Sequence, residues 1–273
     1  MEYPMKPRAT TPRSQSQPRR RPNTDFLDAA RVLHGPAHII GRVFLKAEQL
    51  LRERGVTLSF ATFEELAEVN RLNRETWSPL VPIFDPDWGD LNERNSYCLL
   101  GRNSRGDVVA SQGGRLYEWH DTNFFEEART MRLFYTDPNR PPPPTQSVVM
   151  TAERSKQISG QVVFSGAGWY RRDYRKKDLG TILARVSRAL AYTRWKTDVT
   201  VTMMAEGVFK GGLGDRAGYT NFDWALDLKN FAIGSPRMAV LWMPAEQTLE
   251  DLSWFIDSFA PDVDGWVHHR SAQ

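Results

Sequence analysis

Residues 169 to 195 read WYRRDYRKKDLGTILARVSRALAYTRW, a polar, strongly basic turn that leads straight into an apolar periodicity. From Leu179 onward the apolar side chains fall at Leu179, Ile182, Leu183, Val186 and Leu190, the spacing of one helical face, which predicts a helix opening near Leu179. The fold has to bury that face. It also has to leave the start of the helix wet, because Arg171, Arg172, Arg175, Lys176 and Lys177 crowd the turn before it. A helix start carries unpaired N–H groups and the positive end of the backbone dipole, so cations placed there complete a physical recipe for holding phosphate.

The rest of the chain reads as scaffold for this stretch. A short helix is expected from Asp25 to His34, stopped by Gly35-Pro36, and a longer one from Ala37 to Arg54 with Ile39, Ile40, Val43, Phe44, Leu50 and Leu51 on one face. These helices have three open uses: packing on the sheet, pairing with another copy of the chain, or covering a groove. Val56 to Phe60 predicts a strand, and Thr62-Phe-Glu-Glu65 is a capping box opening a helix with Leu66, Val69 and Leu72 inward. Tyr97 to Leu100 and Val108 to Trp119, joined by a turn at Asn103 to Gly106, predict a hairpin. Residues 120 to 159 form an insertion stiffened by Pro141 to Pro144, and strands follow at Gln161 to Phe164, Val199 to Met203, Phe222 to Leu228 and Met238 to Trp242. A last helix turns Leu249, Leu252, Phe255, Ile256 and Phe259 inward.

Charge divides the chain unevenly. Residues 1 to 23 hold six Lys or Arg and one Glu, so the segment is +5 while the remainder is −2, within a net charge of +3. Rich in Pro, Ser and Gln, it is expected to be disordered, either as an arm for nucleic acid or as a solvated leader with no specific role. The division that follows is a basic tail over 1–23, a helical extension over 24–55, a catalytic-type domain over 56–260 and a short tail over 261–273. Cys98 is the one cysteine, so no internal disulfide forms. With no apolar signal core at the N-terminus, the expected compartment is the cytoplasm. His268-His269 lacks the further spaced ligands a metal site needs, so no metal is expected.

The turn Arg175-Lys176-Lys177-Asp178-Leu179-Gly180 resembles the cofactor motif of the GNAT acetyltransferase superfamily, Arg/Gln-x-x-Gly-x-Gly/Ala between a strand and a helix. Ala217-Gly218-Tyr219 resembles the Gly-Phe that closes that superfamily's second motif. The resemblance implies an α/β (α+β) fold with a central mixed, mainly antiparallel sheet of about six or seven strands and helices on both faces. It also implies acetyl-coenzyme A, or another acyl-coenzyme A, as co-substrate, with Arg175, Lys176, Lys177, Asp178, Leu179, Gly180 and Thr181 at the pyrophosphate and Trp169, Tyr170 and Arg171 along the pantetheine arm. The acceptor would be an amine, and a homo-oligomer is compatible. Asp178 stands where the motif has its first glycine, and as an N-cap its carboxylate is expected to occupy the N–H groups a phosphate would use.

Acyl transfer to an amine needs a proton acceptor, because a lysine-like amine with a pKa near about 10.4 has to be neutral before it attacks. Glu206, just past the strand beside the cofactor strand, is the first candidate base, and Glu118 with His120 the second. Tyr219 is the candidate acid for the leaving thiolate, or else a core aromatic, and each of the carboxylates has the alternative reading of an exposed surface glutamate. The rival function keeps the fold without the chemistry: a degenerate member, with Asp178 in place of the glycine and Gly214 where a general-acid tyrosine often sits, that binds a partner or nucleic acid.

Overall fold

A computed structural model describes residues 25–259, so the basic tail, the segment 261–273 and His268-His269 lie outside the described residues. The order of elements is α1 (Phe26–Ala29), α2 (Ala37–Glu53), β1 (Thr57–Ala61), α3 (Phe63–Leu72), β2 (Ser96–Arg102), β3 (Val108–Trp119), α4 (Phe124–Arg129), β4 (Ser147–Met150), β5 (Gly160–Tyr170), α5 (Leu179–Trp195), β6 (Val199–Ala205), α6 (Glu206–Lys210), α7 (Leu213–Arg216), β7 (Asn221–Lys229), β8 (Arg237–Pro244) and α8 (Ala245–Ser258).

All eight strands join one sheet in the order β1-β2-β3-β5-β6-β8-β7-β4. The β5–β6 pair is parallel and every other pair is antiparallel. The sheet is thus mixed and mainly antiparallel as expected, with one strand more than the six or seven anticipated. The extra strand is β4, contributed by the insertion between β3 and β5, which pairs Met150 with Leu226 and Ser147 with Lys229 along the outer edge of β7. An edge strand adds backbone hydrogen bonds without requiring a strong apolar pattern of its own, and β4 is half exposed.

Alternation along the strands splits the core into two layers. Cys98 and Leu100 point into one layer with Phe63, Leu66, Phe84, Phe124 and Trp242, under α3, α4 and the turn Pro82–Phe84. Tyr97 and Leu99 point into the other, with α2, α5 and α8. The periodicity at Leu179 is read correctly: Leu179, Ile182, Leu183, Val186 and Leu190 are all buried in this second layer.

The second layer also settles the use of the helical extension. Ile40, Val43, Phe44, Leu50 and Leu51 of α2 are buried in it beside α5, so α2 packs onto the sheet through α5. Each such side chain is worth about 1.5–3 kcal/mol relative to exposure. The first helix stops at Ala29, short of the expected His34, leaving Leu33 65% exposed. In α3 the capping box forms, the Glu65 N–H donating to Thr62 Oγ1 at 3.1 Å, but Leu72 is exposed where it was expected to face inward, because Asn73 already leaves the helix at that turn.

Candidate functional site

The parallel pair opens like a hinge. β5 and β6 are in register at Val162–Val199, Val163–Thr200 and Phe164–Val201, and no pair follows although β5 runs on to Tyr170 and β6 to Ala205. Two features drive the opening. Between Ser111–Trp169 and Gly113–Gly166, β5 spends two residues where β3 spends one, a bulge carried by Ala167 at φ 52°. Beneath it, Phe84 seats against Gly113 and Gly166, where a Cβ on Gly166 would lie 2.6 Å from the Phe84 ring. Glycine is needed here so that an aromatic ring can approach the strand at the point of separation.

From the open end of β5 the chain turns through Arg171–Asp178 into α5. Lys176 (φ 60°) and Asp178 (φ 55°) both adopt the left-handed conformation that asparagine, aspartate and glycine enter most readily. This is why a glycine pattern fits the position of Asp178, and why an aspartate tolerates it. The expected cap does not form. Asp178 makes no side-chain capping bond, since a capping residue needs extended backbone to fold its side chain over the helix start. Its carboxylate instead accepts from Arg54 Nη2 at 3.4 Å, while Arg54 Nε donates to the Lys177 carbonyl at 2.6 Å and Nη1 to the Leu50 carbonyl at 2.8 Å. The N–H groups of Leu179, Gly180 and Thr181 consequently have no acceptor among the described residues, the first bond of the helix being Ile182 N–H to the Asp178 carbonyl.

The surrounding cations are not equivalent. Arg171 is bound to Asp173 (2.8 Å) and Asp107 (3.2 Å), and the hydrogen bond it donates to Asp173 raises its pKa. Arg172, Arg175, Lys176 and Lys177 are exposed and make no ion pair among the described residues. Arg175 spans the turn, its Nε 3.2 Å from the Tyr170 carbonyl, and Lys177 lies 4.3 Å over the Tyr174 ring. An anion at this helix start would meet unpaired backbone donors and four cations without carboxylate partners.

Other expected contacts are available through backbone only. Trp169 is 4% exposed, stacked on Trp77 at 5.1 Å with Nε1 donating to Thr76 Oγ1 at 3.3 Å. Leu179 and Thr181 are each 2% exposed, their side chains spent on packing. Tyr170 and Leu213 close in on Gly180, where a Cβ would lie 2.9 Å from Leu213 Cδ1. The second glycine of the motif therefore lets α7 approach the first turn of α5.

Tyr219 lies in the core at 7% exposure, its hydroxyl set between the Arg188 guanidinium and Ser165, the first residue of β5 beyond the last β5–β6 pair. Burial raises its pKa and Arg188 partly opposes this, so the phenol is protonated at neutral pH. Ser165 continues into a buried chain, Oγ to Ser187 Oγ at 3.1 Å and to Gln112 Nε2 at 3.0 Å, with the Tyr97 hydroxyl 2.7 Å from Ser187. Arg188 and Arg185, both in α5, donate to Asp251 of α8 at 2.7 and 2.8 Å. They also hold the Ala217 and Arg216 carbonyls just before Tyr219.

The two candidate carboxylates lie at opposite ends of the sheet. Glu206 begins α6 directly after β6, at the open end, with its pKa lowered by Lys210, whose Nζ is 2.8 Å away. Glu118 pairs with Gln161 at the closed end and takes a 3.2 Å hydrogen bond from its Nε2, with the His120 Nε2 3.4 Å from the same group. Gln161 and Gly168 stand seven positions apart along β5, about 23 Å of strand. Glu118 lines instead an open cavity of about 570 Å³ with Arg115, Tyr117, Tyr135 and the Glu127–Arg132 pair, which includes none of the turn before α5. Among the described residues no group of His, Cys, Asp and Glu is set to hold a metal, and no helix is long and apolar enough to cross a membrane.

Nothing local marks Arg54 or Asp251 as partners of this region, because both act across long stretches of chain. Arg185 and Arg188 carry a weak signal: they stand three residues apart in the stretch 182–191, which is otherwise apolar except for Ser187.

No family model matches the chain, and no curated protein matches it. Among solved structures it is similar to the dodecameric spermidine N-acetyltransferase of Vibrio cholerae (7% identity over 71% of this chain and 95% of that one, TM-score 0.43). It is similar also to AAC(6')-Ib in complex with an aminoglycoside and acetyl-coenzyme A (15%, 71% and 95%, TM-score 0.40). A third is an acetyltransferase of the GNAT family from Streptococcus pneumoniae (10%, 69% and 98%, TM-score 0.39).

Proposed function

We propose that the chain is an acyl-coenzyme A-dependent N-acyltransferase, a divergent GNAT protein whose co-substrate lies in the gap between β5 and β6. The observation that carries this reading is the start of α5, where three unpaired N–H groups and four exposed cations converge at the open end of a split parallel pair. Pyrophosphate suits that arrangement, since each donor points out of the helix along its dipole. The Asp178 carboxylate lies on Arg54 and not on the helix start, which leaves those donors open to an anion.

When bound, the thioester supplies an activated acyl group. The chain's own residues position it and manage protons. Backbone groups of β5 beyond Phe164, unpaired toward β6, run alongside the pantetheine and offer donors to the carbonyl oxygen. Glu206, ionised because Lys210 stabilises its carboxylate, takes a proton from the acceptor's ammonium directly or through a water, and the neutral amine then attacks. As the carbon–sulfur bond breaks, Tyr219 gives its proton to the departing sulfur and the extra proton on the adduct nitrogen returns, through water, to the phenolate, leaving an amide and a free thiol. Glu118 has no part in this reading, lying at the closed end of β5. Soluble operation and an amine acceptor of unspecified class belong to the same proposal.

Coenzyme A should stabilise the purified protein against heat, since a ligand at a hundred times its Kd adds about 2.7 kcal/mol to the folded state. A titration to millimolar coenzyme A with no rise in Tm would sink the reading.

A further inference from the structure

We propose that Arg54 is a positioning residue of the phosphate turn, holding the Asp178 carboxylate off the start of α5 so that the helix remains open to an anion. The inference rests on the pyrophosphate reading of that turn and adds a residue from the helical extension to it. Arg54 follows the last residue of α2, far in sequence from the turn, yet its side chain is 11% exposed and all three of its nitrogens are engaged. The bond to Leu50 anchors the guanidinium to its own helix end, and the bond to the Lys177 carbonyl fixes the peptide before Asp178. What remains, Nη2, faces the carboxylate.

Without Arg54 the Asp178 carboxylate has two destinations, both hostile to a bound phosphate. It can swing to the N–H groups of Leu179, Gly180 and Thr181, which have no other acceptor among the described residues, or stay as an unneutralised negative charge beside them. The exposed cations do not replace Arg54, because Lys176 and Arg175 make no ion pair with Asp178. The left-handed backbone of Asp178 turns the side chain away from the helix, and Arg54 secures it there. Cofactor binding is in this way tied to the seating of α2 on α5.

The test is a double-mutant cycle read by calorimetric titration with coenzyme A on the full chain. Arg54→Gln should weaken binding about tenfold, near 1.4 kcal/mol, and Arg54→Lys, which keeps the charge with fewer donors, should weaken it less. In an Asp178→Gly background, with the competing carboxylate gone, Arg54→Gln should change affinity less than about threefold. Ligand-free Tm is measured for every variant, and Arg54→Lys carries the test if Arg54→Gln does not fold. Equal losses in both backgrounds would overturn the proposal, since Arg54 would then act on the ligand or on folding alone. Unchanged affinity in Arg54→Gln would overturn it as well. If the unsubstituted chain binds no coenzyme A, the pyrophosphate reading fails first and this one with it.

Discussion

The turn before α5 and the middle of α5 both present arginines, and the fold treats them in opposite ways. Arg172 and Arg175 face solvent without ion pairs among the described residues, whereas Arg185 and Arg188, three residues apart in the middle of α5, are 2% and 0% exposed and share one carboxylate, Asp251. Two buried guanidinium groups share the Asp251 carboxylate, and Arg188 Nε and Nη1 have no hydrogen-bond partner among the described residues. Burying charge costs several kcal/mol per ion, so such a cluster persists only where it fastens something. Here it fastens α8 and the Arg216–Ala217 carbonyls to α5, fixing Tyr219 beside Ser165. The cations at the turn fasten little and stay available. Identical chemistry is therefore spent on the framework or left unpaired at the surface according to whether its environment has already supplied the counter-charge.

The largest effect expected from this contrast is on stability at the buried cluster. Asp251→Asn should cost about 3–5 kcal/mol in chemical denaturation, because it removes the carboxylate that both buried guanidinium groups share. A loss below about 1 kcal/mol would show that water reaches Arg185 and Arg188 and would erase the distinction between the two sites.

Next comes the tyrosine that the cluster positions. Its pKa is raised above the ordinary value of 10.0, so the proton is present throughout the neutral range and is lost only at more alkaline pH. Tyr219→Phe should lower kcat about a hundredfold, the lower end for general acid catalysis, with coenzyme A affinity unchanged and the alkaline fall of kcat removed. An unaltered kcat would make Tyr219 a core aromatic and nothing more. The folded-state phenol also favours the protonated form, so the wild-type chain should lose stability as pH rises past 10, and the phenylalanine variant should lose less.

The smallest effect on the fold should come from the turn. Replacing Arg175, Lys176 and Lys177 together by alanine should leave denaturation within about 0.5 kcal/mol of the parent, as expected for exposed side chains. Coenzyme A affinity should fall at least tenfold, about 1.4 kcal/mol, and its salt dependence should flatten. Stability falling while affinity holds would invert the comparison and assign these cations to the framework.

Short-range patterns carried the sequence reading furthest. The Leu179–Leu190 spacing, the Thr62–Glu65 box and the β2–β3 hairpin each depend on neighbours within a few residues, and each is present. The basic turn and its helix start are legible for the same reason. What the linear chain leaves open is who partners whom. Whether Asp178 caps its own helix or meets Arg54, 124 residues away, depends on how α2 docks, and the local rule for helix caps points the wrong way. Likewise Trp169, basic-turn neighbour in sequence, is withdrawn into the core by Trp77, and the insertion supplies β4 to an edge formed by β7, far later in the chain. Periodicity fixes which face of an element is apolar, because side-chain direction repeats with the backbone; the destination of a charge is a competition among distant groups, which only the packed tertiary structure resolves.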